Sequence, residues 1–205
     1  MSDARRRGLE READTDLLAA AEALGERLRA GELRQDELGL LCFLEVPGAV
    51  ELLAQLDPDL LPRRTWPAEL AELATLSLAP TPGRFCFEAW PGPLALAARL
   101  AVSAAAPADS LALREAPGFP ETISESLLNA ILGEAVAGSG PSDFAEALVV
   151  LRDAPGWAAR GGQAPLYLQA FAPVCRALGV SRVESLVREG LLEAVLGRPG
   201  PPRGL

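Results

Sequence analysis

Between proline and glycine stops, leucine and alanine return every three or four residues along most of this chain. That rhythm restricts what it can fold into. From about Thr15 to Ala30, Leu17, Ala20, Ala21, Leu24 and Leu28 share one face, the pattern of a helix with one buried side. Alanine and leucine number 37 each among 205 residues, while isoleucine and valine together number 13. The first pair favours helix and the β-branched pair favours strand. The expected fold class is therefore all-α. It is either a stack of helical hairpins, an irregular α-solenoid, or a compact irregular helical bundle. At 49% hydrophobic and 5% aromatic, the chain can bury a core made mostly of Leu, Ala and Val.

Punctuation sets the expected organisation. Residues 1–13, with Arg5, Arg6, Arg7 and Arg11 among acids, read as a solvated N-terminal tail. Residues 14–78 read as a helical half. Its helices run from about Thr15 to Ala30, with Gly31 as the stop, and from Arg34 to Val46. A third runs from Pro47 to Leu56 and a fourth from Ala68 to Leu78. Residues 79–92 read as an aromatic Pro/Gly linker. Residues 93–196 form a second helical half. Its helices are expected at Pro93–Ala105, Pro107–Glu115, Thr122–Ala137, from Ser142 or Asp143 to Asp153, at Pro165–Leu178 and at Ser181–Leu196. Pro173 should kink or divide the fifth of these. Thr122 to Glu125 and Ser181 to Glu184 have the spacing of capping boxes. Residues 197–205 read as a C-terminal tail.

One internal repeat stands out. Leu113-Arg-Glu-Ala-Pro-Gly-Phe119 matches Leu151-Arg-Asp-Ala-Pro-Gly-Trp157 at a spacing of 38 residues. Each copy is a helix end, a turn and an aromatic able to fold back into a core, so Phe119 and Trp157 are expected to be structural. Periods near 40 are common in arrays of helix pairs. Within Leu17 to Leu53, the runs Ala-Glu-Ala-Leu-Gly-Glu-Arg-Leu-Arg-Ala-Gly-Glu-Leu (21–33) and Leu-Gly-Leu-Leu-Cys-Phe-Leu-Glu-Val-Pro-Gly-Ala-Val (38–50) carry a resemblance. This segment resembles HEAT-like helical-hairpin segments of uncharacterised proteins from GC-rich bacteria. The resemblance implies paired helices, with no activity and no site residues.

The charged residues exclude much chemistry. Acids outnumber bases 28 to 19, all 19 bases are arginine, and there is no histidine. Without histidine there is no imidazole base and no imidazole metal ligand. Without lysine there is no Schiff base and no phosphate-loop lysine. The abundance of Ala, Gly, Pro and Arg attributes the missing lysine to GC-rich codon usage. The net charge of −9 argues against nucleic acid and anionic membranes, which need clustered cations. No signal peptide or membrane span is expected, and three widely spaced cysteines suit a reducing cytoplasm. No cofactor and no metal are expected.

Each candidate chemical group also has a structural reading. Glu69 and Glu72, like Glu22 and Glu26, are spaced to present two carboxylates to a cation, but read better as solvated faces. Cys42 reads as a core residue. Cys175 beside Arg176 reads as unreactive, and Cys86 as the best placed of the three thiols for exposure. The loop at Gly138 to Asp143 reads as an ordinary helix connection. Arg84, Phe85, Phe87 and Trp90 in the linker are the candidate partner-binding residues, since aromatics and arginine are favoured at binding hot spots. The competing reading tucks these aromatics into a core.

The expected function is non-enzymatic protein–protein interaction, as an adaptor or scaffold with a protein partner in a bacterial cytoplasm. Two alternatives stand beside it. One is an acidic immunity or inhibitor protein for a basic target. The other is a carboxylate and Mg-dependent enzyme, or a ligand-binding helical pocket. The sequence leaves the oligomeric state open.

Overall fold

A computed structural model describes residues 3–77, 80–105, 143, 144, 146, 147, 149 and 164–197, with side chains of the first helix from Asp16 onward. The fold is all-α, and no strand occurs among the described residues. The internal repeat with Phe119 and Trp157, the expected helices at 107–115 and 122–137, and the loop at 138–142 lie outside them. So does nearly all of the C-terminal tail.

The chain divides into two compact units. One comprises Met1–Trp66 with Leu192–Leu205, and the other Pro67–Leu191. The boundary falls at Trp66, earlier than expected. The segment 80–92 thus belongs inside the second unit instead of linking two halves.

The first unit begins with α1, Asp3–Arg29. Helix therefore covers most of the segment read as a tail. Gly31, at φ 72°, ends α1. Its amide donates to the Leu28 carbonyl at 3.1 Å while the Glu32 amide donates to Arg27 at 2.9 Å, the double closure of a Schellman stop.

Helix α2 covers Gln35–Phe43 and buries nearly its whole surface. It closes in the same manner. The Val46 and Glu45 amides donate to the Leu41 and Cys42 carbonyls, both at 3.0 Å. Here a glutamate, Glu45 at φ 56°, takes the left-handed position. Helix α3, Ala49–Leu56, packs on both α1 and α2. A 3-10 turn, Pro58–Leu60, follows, with the Asp57 carboxylate accepting from the Asp59 amide at 3.2 Å. The core of this unit includes Leu24, Leu33, Leu38, Leu41, Phe43, Leu53 and Trp66. The Phe43 and Trp66 rings are tilted, 6.1 Å between centroids.

Two contacts set the direction of α3. Gly48 lies against the backbone of Ala20 and Ala21, and a Cβ placed on Gly25 would meet Leu52 at 3.7 Å. The paired positions advance together, so α3 runs alongside α1 in the same sense. At the far end of α1, the Arg27 guanidinium donates to the Leu196 carbonyl at 2.9 Å. That satisfies one terminal carbonyl of the last helix.

The second unit takes up most of α4, Trp66–Leu73, which ends five residues short of the expected Leu78. The Thr75 amide and hydroxyl both donate to the Glu72 carbonyl, at 3.1 and 2.8 Å. That tightens the last turn and stops the helix. Helix α5, Pro91–Ala105, buries Leu94, Ala97, Ala98, Ala101 and Val102. It packs against α6, Ala164–Gln169, and α7, Phe171–Leu178.

These last two were expected as one helix. They separate at Ala170, which places Pro173 in the first turn of α7, where its missing N–H leaves no hydrogen bond unmade. Gly179, at φ 85°, separates α7 from α8, Val180–Leu196. Helix α8 thus starts at the glycine, and Ser181 lies inside it instead of capping it.

Candidate functional site

The segment 80–90 is held by two glutamates. Glu88 accepts from the Gly83 amide at 2.8 Å and the Phe85 amide at 3.1 Å. Glu69, reaching from α4, accepts from the Cys86 amide at 2.8 Å through one oxygen and the Phe87 amide at 2.8 Å through the other. These bonds turn residues 86–89 into a short 3-10 helix. Arg84 pairs with Glu72 and lies over the Phe85 ring, 5.4 Å from its centroid.

The four candidate partner-binding residues do not share an exposed surface. Phe87 is fully buried, stacked on Phe171 at 6.5 Å, and Phe85 is 4% exposed. Trp90 is half-buried and Arg84 is exposed. The competing reading describes Phe85 and Phe87: they are core, here of the second unit. A low-aromatic chain has few large side chains with which to fill that interior, so burying these two is the better use of their area.

Glu69 overturns an expectation. Read as half of a solvated pair with Glu72, it is fully buried. Its carboxylate accepts from two backbone donors, and hydrogen bonds of this kind make a buried charge tolerable. Helical spacing alone does not distinguish this from solvation, because the donors lie 17 and 18 residues away. Glu22 and Glu26 are exposed, as read.

Cys42 and Cys175 are buried and Cys86 is half-buried; all three are free. Burial pushes the Cys42 thiol up to about 11, aided by the charge of Glu51. Burial alone pushes Cys175 up to about 11. Neither is a poised nucleophile. Arg176, next to Cys175, instead donates to Asp143 at 2.8 Å and Glu146 at 2.7 Å. Among the described residues, no group of three or more Cys, Asp or Glu side chains could hold a metal, and no helix is long and apolar enough to cross a membrane.

One concave feature of the first unit is a groove between α1 and α3, with a volume of about 400 Å³. Leu18, Ala21, Gly25 and Leu28 line it from α1, and Leu52 and Leu56 from α3, with Glu22, Arg29 and Gln55 at its sides. Leu18 is 56% exposed and Leu56 51%. Both side chains stand open to solvent beside an apolar wall. The helical periodicity of the sequence does not reveal the groove. Its signal was Leu18, an apolar residue one position off the stripe of Leu17, Ala21, Leu24 and Leu28.

No protein-family model, no curated protein and no solved structure matches this chain.

Proposed function

We propose that this protein acts through protein–protein contact, as an adaptor or scaffold, and that the groove between α1 and α3 is its docking surface. The observation that carries this reading is the exposure of Leu18 and Leu56 on either side of an open apolar floor. A groove between two helices is a common seat for a segment of a partner. The HEAT-like resemblance of residues 17–53 supports it, since that segment supplies most of the groove. Three free cysteines suit a reducing cytoplasm.

Site-specific photo-crosslinking in the native cell tests the reading. A crosslinker at Leu18 or Leu56 is expected to give the same identified adduct, while one at exposed Val180 does not. An adduct pattern that is the same at all three positions rejects the groove as the docking surface.

A further inference from the structure

We draw no further inference here: the strongest candidate, the carboxylate cluster of Glu69, Glu72 and Glu88 around residues 83–88 of the second unit, is taken up by that segment's own Gly83, Phe85, Cys86 and Phe87 amides and by Arg84, and nothing among the described residues beside it points to a ligand.

Discussion

The carboxylate of Glu69 receives the amide of Phe87 at 2.8 Å, eighteen residues further along the chain. A fully buried acid thereby fixes a fully buried aromatic, with the Cys86 amide on its second oxygen. Glu69→Ala would leave both donors in the interior without their acceptor, at an expected cost of about 3 kcal/mol. Glu69→Gln keeps one acceptor oxygen and turns an NH2 toward the other amide, so it too should destabilise, by about 2 kcal/mol. Urea denaturation measures both. Midpoints like that of the parent would show that the segment 80–90 keeps its place without Glu69.

Gly48 and Gly31 separate two reasons for glycine. Both have positive φ, 78° and 72°. A Cβ on Gly48 would collide with the Ala21 backbone nitrogen and come within 2.7 Å of the Ala20 carbonyl carbon, whereas one on Gly31 meets nothing within 4 Å. Gly31→Ala should therefore cost about 1 kcal/mol, from backbone conformation alone. Gly48→Ala adds overpacking of α3 against α1 and should cost about 3 kcal/mol or more. Equal losses in thermal melts would mean that α1 and α3 separate easily.

Gly25→Ala is expected to act in the opposite direction. It places a methyl group 3.7 Å from Leu52 without collision and removes a poor helix former, for a gain of about 0.5–1 kcal/mol. A fall in melting temperature would reveal crowding on the groove floor that the geometry does not show.

The thiols should be distinguishable by reactivity. With Cys42 and Cys175 both raised to about 11, roughly one thiol in a thousand is ionised at pH 8. Iodoacetamide on the native protein should modify half-buried Cys86 well before either. Mass spectrometry of the labelled peptides reads the order, and faster labelling of Cys42 would refute it.

The same shifts bear on alkaline stability. Unfolding returns each thiol toward its ordinary value of 9.0, so the unfolded chain releases protons first as pH rises. The stabilising contribution is complete below pH 9 and is lost as pH climbs through about 11. Denaturation midpoints should fall between those values, and less so in a Cys42→Ala, Cys175→Ala variant. A fall of the same size in the variant would assign it to other groups.

Much of the fold was legible because local physics wrote it. The Leu/Ala rhythm announced helices, and Gly31 and Gly179 marked stops that only a left-handed residue provides cheaply. Pro173 foretold a break near itself. Where the reading failed, non-local partners decided. Helix α4 ended early at the Thr75 turn. Glu69 was called to the interior by amides far along the chain. The linker joined one unit through that same contact.

The sequence by itself determined an all-α chain without imidazole or amine chemistry, with a Leu/Ala core and a surplus of acid. Those properties follow from side-chain type and from spacing within a few residues. Only the tertiary structure decided that Phe85 and Phe87 are core, that Glu69 is buried, and that Leu18 and Leu56 stand open beside a groove. An apolar residue looks the same in sequence whether a neighbouring helix covers it or leaves it exposed. Which of the two happens depends on where α3 lies along α1, and the close approach at Gly48 sets that.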